Sequence, residues 1–246
     1  NFIKNSNVKF AIVANKNEKH FQVTKKLLKK NINILVEKPL VENLDDFYEL
    51  KKLSNNKTKI FVSSPFFFSY YFYYFKKIFL EKDNFKINIQ WHDKINEKRN
   101  GVIKNHDFKI NYLNDTIYHL FGILACFYGN KEIKFIKKIN YKNQGKIFLK
   151  IKENKIYLHC SRLRNNKRIR KISFISNKKI FNLNFSDDNN IKLNLNGVKR
   201  ELNFKFCQKT LKFQLYFFLN YKKFLNYFIF NELKNLNNLF TVISKL

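Results

Sequence analysis

Residues 32–39 read Ile-Asn-Ile-Leu-Val-Glu-Lys-Pro, and this stretch decides the fold that we predict for the first quarter of the chain. An apolar run followed at once by an acid, a base and a proline is typical of a buried parallel β-strand with polar groups at its carboxyl end. Ligands of open α/β sheets bind outside such strand ends. Lys38 is therefore a candidate to donate a proton or place a positive charge there, and Pro39 restricts the path of the chain.

The segments on either side of this stretch predict alternating strands and helices. Apolar runs predict strands at 8–14, 32–36 and 59–63. Helical periodicity predicts one helix at 17–30 and a second that begins after the N-cap residue Asn43. The order β-α-β-α-β implies a parallel sheet with crossover helices.

Beyond residue 65 the pattern changes to one richer in short strands. We expect, in chain order, a Phe/Tyr-rich helix at 69–80, a strand at 85–91, an irregular charged stretch at 92–109, a helix at 112–127, five or six short strands between 133 and 204, and helices at 207–230 and 232–244. The predicted fold is therefore an α/β part with a parallel sheet (residues 1–64), followed by an α+β part with an open, mostly antiparallel sheet (residues 65–246).

The charge of the chain suggests a polyanion partner, but its composition argues against one. The formal net charge is +31, which is typical of proteins that bind nucleic acids or anionic membranes. However, only six of the 49 basic residues are arginine, whose bidentate fork is favoured at nucleic-acid surfaces. The abundant residues are those with A/T-rich codons, so a base-composition bias of an AT-rich genome explains the charge. We expect no nucleic-acid partner, and a basic nucleic-acid-binding protein is kept as an alternative.

The cysteines and the apolar segments indicate the cellular compartment in which we expect the protein. Cys126, Cys160 and Cys207 lie far apart without metal-ligand spacing, so we expect free thiols in a reducing cytosol and no metal site. We see no signal peptide, and the apolar runs at 65–75 and 213–230 are too short or interrupted by lysines to cross a bilayer. We therefore expect a cytoplasmic protein without a membrane partner.

Two motifs of the first part resemble the Gfo/Idh/MocA oxidoreductases, the family of glucose–fructose oxidoreductase and inositol dehydrogenase. In that family one strand ends in Ala-Thr-Pro-Asn, a histidine follows three residues later, and the next strand ends in Glu-Lys-Pro. Here residues 14–17 read Ala-Asn-Lys-Asn and precede His20, and residues 37–39 read Glu-Lys-Pro. The resemblance implies a Rossmann-like half domain that binds NAD or NADP, with a cleft lined by Ala14, Asn15, Asn17, His20, Glu37, Lys38 and Pro39.

A third motif, Asp115-Thr-Ile-Tyr-His119, resembles the Asp-x-x-x-His pattern that opens a helix in the second domain of the family. A spacing of four places both side chains on one helical face. An imidazole is suited to accept a hydroxyl proton as hydride leaves the same carbon. The resemblance implies that Lys38 polarises the substrate oxygen, that His119 is the acid/base, and that Asp115 orients it. Taken alone, the two residues of the third motif also fit a helix cap and a core histidine.

The charged stretch from Trp91 to Asp107 resembles the family's variable substrate-contacting region. Its candidate substrate residues, for a polyhydroxylated or carboxylated sugar, are Trp91, Arg99, Lys104 and His106. Solvated surface charge is the alternative reading of this stretch. A second basic group, Arg162, Arg164, Arg168 and Arg170, alternates like one face of a strand, for which we expect a solvated or interface strand.

The chain also departs from the family pattern. Its five glycines all lie beyond residue 64, so residues 1–64 contain no Gly-x-Gly-x-x-Gly turn that could bind the pyrophosphate. Residues 1–64 also lack the acid that would follow such a turn and bind the ribose. Either about sixty or more upstream residues are missing, or the protein no longer holds a dinucleotide. We expect an NAD(P)-dependent oxidoreductase that acts on a sugar or sugar-derived hydroxyl or keto group and forms a homo-oligomer. The alternative is a non-catalytic relative that serves as a binding or assembly subunit.

Overall fold

The computed structural model places the elements in the predicted order, alternating at first and strand-rich afterwards. The described residues are 7–54, 58–64, 69, 72, 84–96, 98–99, 102–103, 112–129, 131–141, 143–163, 167–176, 180–186, 191–202 and 210–224. The predicted helix at 69–80 lies almost entirely outside these ranges, and the one at 232–244 lies entirely outside them.

The first part forms a parallel three-stranded sheet, as the sequence predicts. Its strands are β1 (Phe10–Val13), β2 (Asn33–Val36) and β3 (Ile60–Val62), in the order β1-β2-β3. Val13 pairs with Val36, and Val36 pairs with Val62, so the three strands end at one edge. The loops that follow β1 and β2 therefore lie side by side.

Two helices connect these strands and cover the sheet. A 3-10 turn (Asn17–Lys19) leads into α1 (His20–Leu28), and α2 comprises Leu44–Leu53. The Asn43 side chain caps α2 by accepting a hydrogen bond of 2.8 Å from the Asp46 amide, as its position in the sequence predicts. Phe47 of α2 is fully buried in the core beneath the two helices.

The second part is built on an eight-stranded sheet in the order β13-β12-β11-β10-β4-β9-β8-β7. Its strands are β4 (Lys86–Lys94), β7 (Lys134–Tyr141), β8 (Gln144–Ile151), β9 (Asn154–Leu163), β10 (Ile169–Ile175), β11 (Ile180–Asn184), β12 (Ile191–Leu195) and β13 (Val198–Leu202). Only the central pair β4–β9 is parallel. The short strands β5 (Lys98–Arg99) and β6 (Val102–Ile103) form a separate hairpin.

Two details of this sheet differ from the prediction. The described residues beyond 133 form seven strands rather than five or six, and β8 and β9 are joined by a tight turn in which Lys152 adopts a φ of 52°. Lysine rarely takes this conformation, so the sequence carries no turn signal there. In addition, β4 continues through His92 and Asp93, which we expected to be irregular.

Helix α3 (Tyr112–Tyr128) packs on β8 and β9 and also contacts the first part of the chain. The Tyr118 hydroxyl donates a 3.0 Å hydrogen bond to the Val41 carbonyl, in the segment that follows β2. Gly122 lies so close to Ser64 that a Cβ atom there would overlap the serine Oγ. These contacts hold the middle of α3 beside the segments that follow β2 and β3.

Helix α4 (Thr210–Leu219) and a 3-10 turn (Tyr221–Phe224) end the described part of the chain. Gln214 bonds the Ser63 hydroxyl and the Ser64 amide, which ties α4 to the end of β3. Among the described residues, no helix is long and apolar enough to cross a membrane. Cys126 and Cys160 are free thiols, and Cys207 lies outside the described residues.

Candidate active site

The centre of the candidate site is an ion pair between Lys38, after β2, and Asp115, in the first turn of α3. Lys38 Nζ contacts the Asp115 carboxylate and lies 3.4 Å from the Asp115 carbonyl oxygen. The two side chains are 22% and 30% exposed, so both reach solvent while remaining largely enclosed. The ion pair joins the edge of the parallel sheet to the helix of the second part.

A second cation binds the other carboxylate oxygen of Asp115. Arg162 Nη2, from β9, donates a hydrogen bond of 3.1 Å to Oδ2, and its guanidinium lies over the Tyr112 ring at 4.7 Å. Burial alone would raise the pKa of Asp115, but the charges of Lys38 and Arg162 outweigh it and hold that pKa below its ordinary value. Asp115 is therefore an ionised anchor and not a proton acceptor at neutral pH.

His119 lies one helical turn after Asp115, and its ring stacks on Trp91. The ring centroids are 5.1 Å apart and the planes are inclined by 14°. Burial, followed by the positive charge of Lys38, lowers the pKa of His119 to about 3. The imidazole is therefore neutral at physiological pH, so one of its ring nitrogens carries a lone pair that can accept a hydrogen bond or a proton.

Beneath His119 lies a cluster of four buried side chains, Trp91, Asp93, Tyr112 and Arg170. Arg170 places its guanidinium 3.7 Å from the centroid of the Trp91 ring and forms an ion pair with Asp93. Trp91 Nε1 donates to Asp93 Oδ2 at 3.3 Å, and the Tyr112 hydroxyl donates to the Trp91 carbonyl at 3.1 Å. These groups form a connected polar network inside the second part of the chain.

The residues predicted to line a dinucleotide cleft occupy the two adjacent strand-end loops. Ala14, Asn15 and Glu37 are exposed, Asn17 and Pro39 are partly buried, and Lys38 points to α3. His20 is fully buried, and its ring nitrogens lie 2.7 Å from the Pro39 carbonyl oxygen and 2.9 Å from that of Asn15. It thus links the two loops to each other.

The predicted substrate residues are not assembled in one place by the described residues. Trp91 is 4% exposed and lies in β4, beneath His119. Arg99 belongs to the β5 strand, and its side chain is outside the described part, as are Lys104 and His106.

Sequence reasoning missed three charged residues next to the site: Asp93, Arg162 and Arg170. Of the expectation of a solvated or interface strand, the solvated form was wrong for Arg162 and Arg170, which are 5% and 2% exposed within the chain itself. Strand alternation carried the signal, because Asp93 continues the inward series Ile87-Ile89-Trp91 and Arg162 continues the series Ile156-Leu158-Cys160.

The strand-end loops at 14–17 and 37–39 fit the nicotinamide end of a dinucleotide. They lie at the carboxyl ends of parallel strands, where such ligands bind, and they offer amide and ammonium donors. A glycine-rich pyrophosphate turn does not occur within residues 1–246. In the part of the chain that the structure describes, no group of three or more metal-ligating side chains is found.

Comparison with known proteins supports the fold that carries these residues. Residues 1–64 match the Gfo/Idh/MocA family, described as an oxidoreductase family with an NAD-binding Rossmann fold. No curated protein matches the chain.

Solved structures share the whole two-part fold at low sequence identity. A dehydrogenase, MviM, from Clostridium difficile has a TM-score of 0.73 and 16% identity over 97% of this chain and 79% of its own. UDP-N-acetylglucosamine 3-dehydrogenase GnnA from Acidithiobacillus ferrooxidans has a TM-score of 0.74 and 12% identity, and the match covers 96% of this chain and 77% of its own. An inositol dehydrogenase homolog from Azotobacter vinelandii, complexed with NADH and myo-inositol, has a TM-score of 0.62 and 14% identity. That match covers 79% of this chain and 56% of the homolog. At these identities the similarity establishes the fold.

Proposed function

We propose that this chain, whose residues 1–64 match the Gfo/Idh/MocA oxidoreductase family, is an NAD(P)-dependent oxidoreductase of a sugar or sugar-derived hydroxyl or keto group. The observation that carries the proposal is the Lys38–Asp115 ion pair, which joins the Glu-Lys-Pro loop to the helix that bears His119. Three separate sequence motifs are thereby combined in one partly open site.

Lys38 is proposed to hydrogen-bond the substrate oxygen. Its ammonium carries three donors, and the contacts with the Asp115 carboxylate and carbonyl fix its position without using all of them. A positive charge held there stabilises the negative charge that develops on the oxygen of an alcohol as it is oxidised. Asp115 remains ionised throughout, because Arg162 and Lys38 both favour its charged form.

His119 is proposed to accept the hydroxyl proton. In the direction of oxidation, the O–H bond breaks, the proton goes to the neutral imidazole, and the carbon–oxygen bond becomes a carbonyl. The bound dinucleotide would supply the acceptor for the hydride that leaves the same carbon. In reduction the steps reverse, and the proton that reaches the oxygen passes through the same ring nitrogen.

The finer assignments are also proposals. The cofactor residues are those of the two strand-end loops, Ala14, Asn15, Asn17, Glu37 and Pro39, with His20 holding the loops together. The substrate class is supported by the solved relatives whose titles name a UDP-sugar dehydrogenase and a myo-inositol complex. We assign residues 1–64 to cofactor binding and 65–246 to substrate binding and homo-oligomer contacts, in a cytoplasmic protein.

The test is turnover by the full-length protein. Candidate substrates are myo-inositol, UDP-N-acetylglucosamine and simple aldoses, each with NAD or NADP, followed through the absorbance of the reduced nicotinamide. We expect activity with at least one pair, and a loss of about 10²-fold or more in kcat for Lys38→Met and for His119→Asn. The matched control is Lys26→Met, an exposed lysine of α1, which should leave the rate unchanged.

Two outcomes would contradict the proposal. Activity that survives both Lys38→Met and His119→Asn would show that the site lies elsewhere. Nucleotide binding without turnover of any polyol, sugar or keto-sugar would favour the non-catalytic relative.

A further inference from the structure

Arg170 lies in a position that core packing alone does not explain. It is 2% exposed, and it is the largest of the fully buried side chains among the described residues. A buried ion pair is at best about neutral for stability when compared with apolar groups of the same volume, because both charges must be desolvated. The ion pair with Asp93 therefore calls for a role other than stabilising the fold.

The geometry around Arg170 is that of a rigid support. Its Nη1 donates to the carbonyls of His92 at 2.7 Å and Ile169 at 2.9 Å, and its Nη2 contacts Asp93. Asp93 in turn accepts from the Trp91 indole at 3.3 Å. The guanidinium plane and the indole plane are thus fixed by hydrogen bonds at both ends of their contact.

We propose that Arg170 is a positioning residue that acts through Trp91 and fixes the ring plane of the His119 imidazole. The inference rests on the proposed function, in which that imidazole accepts the substrate proton. Since the Trp91 ring is held by Arg170 and Asp93, the imidazole stacked on it at 14° has its plane set by the same contacts. Trp91 is then the floor of the site and not a substrate-contacting residue.

The charged groups around His119 shift the pKa of its imidazole in opposite directions. Four charged groups face His119: Lys38 and Arg170 lower its pKa, while Asp115 and Asp93 raise it. Loss of the Arg170 charge removes one of the two cations and leaves Asp93 without its compensating cation. The pKa of His119 must then rise from its value of about 3.

The test is a histidine NMR titration of the full-length protein. The chain has five histidines, so the His119 Hε1 signal can be assigned by comparison with His119→Gln. In the native protein we expect a ring-current shift from Trp91 and no titration between pH 5 and pH 8. Arg170→Met should change the ring-current shift, and in a titration extended into the acid range its midpoint should rise from about 3. Arg170→Lys keeps the positive charge but loses the planar contact with Trp91. It should therefore bring the titration midpoint of His119 closer to the native value than the ring-current shift of its signal.

The control is Lys171→Met, which removes a positive charge from the next residue of β10, on the opposite face of the sheet. It should leave the His119 signal unchanged. Thermal unfolding of each variant checks that it is folded. If Arg170→Met does not fold, the double variant Asp93→Asn/Arg170→Gln serves in its place for the ring-current shift alone, because its two substitutions change the pKa of His119 in opposite directions. A folded variant with the native His119 ring-current shift overturns the inference.

Kinetics separate this inference from the proposed function. A positioning role predicts that Arg170→Met lowers kcat about tenfold or more with little change in KM, and that Arg170→Lys recovers part of the loss. Equal losses in Arg170→Met and Lys171→Met would indicate a merely structural effect and would overturn the inference. An inactive native protein would refute the proposed function, while the NMR result would still decide whether Arg170 positions His119.

Discussion

The substitution Asp115→Asn tests how two cations share one carboxylate. Asparagine keeps the shape of the side chain, but it has no charge and turns an NH₂ group toward either Lys38 or Arg162. Two charge-assisted hydrogen bonds are lost or weakened, each worth about 1.5–3 kcal/mol. Because the carboxylate is 30% exposed, water screens part of this. We therefore expect the free energy of unfolding to fall by roughly 2–4 kcal/mol in total.

The loss should be visible in thermal and urea unfolding. For a chain of this size, a loss of 2–4 kcal/mol lowers Tm by about 4–16 °C. Glu132→Gln neutralises an exposed carboxylate and is the matched control, which should change the free energy of unfolding by less than about 0.5 kcal/mol.

The destabilisation caused by Asp115→Asn should depend on pH in one direction. The pKa of Asp115 is lowered in the folded protein, so its contribution is complete above the ordinary value of 3.8 and is lost as the pH falls through the folded value. The difference between native protein and Asp115→Asn should therefore be constant from pH 7 to pH 5 and narrow below that ordinary value. The reasoning would be refuted if the native protein and Asp115→Asn had equal unfolding midpoints at pH 7. It would also be refuted if the difference between their stabilities stayed the same below pH 3.8.

Further predictions concern the packing and the charges around the site. Gly122→Ala should destabilise the protein by about 1–3 kcal/mol through overlap with Ser64 Oγ. The double variant with Ser64→Ala should recover most of that loss in thermal unfolding, and no recovery would contradict the contact. Asp93→Asn should cost about 3–5 kcal/mol, since Arg170 stays buried without its carboxylate; an unchanged urea midpoint would disprove this. Lys38→Arg should keep the native unfolding midpoint but lower turnover, and native turnover in that variant would show that the ammonium is not required.

The parallel sheet could be predicted because its signals are local. Each strand is a short apolar run, and the cap at Asn43 together with the acids of the next turn marks the start of α2. The large sheet was predicted less completely. Its strand count depends on the turn at Lys152, where the backbone takes a conformation that the residue type does not announce.

The residues of the candidate site that could be predicted are those whose positions follow from the spacing of residues along a strand or a helix. Lys38 at a strand end and the pair Asp115 and His119 on one helical face follow from periodicity together with the family resemblance, and the structure brings Lys38 and Asp115 into contact. Arg162 and Arg170 were expected on a solvated or interface strand because charged side chains are usually exposed. Only the tertiary structure shows the carboxylate that each of them contacts, which is Asp115 of α3 for Arg162 and Asp93 of β4 for Arg170.

Nucleotide binding is measured most directly by a fluorescence titration of NADH and NADPH against the full-length protein, with Asp115→Asn and Lys38→Ala alongside. We predict that at least one nucleotide binds the native protein saturably. Lys38→Ala should lower turnover far more than it weakens nucleotide binding, because Lys38 acts on the substrate oxygen. The absence of binding to either nucleotide would contradict the assignment of this chain as an NAD(P)-dependent oxidoreductase.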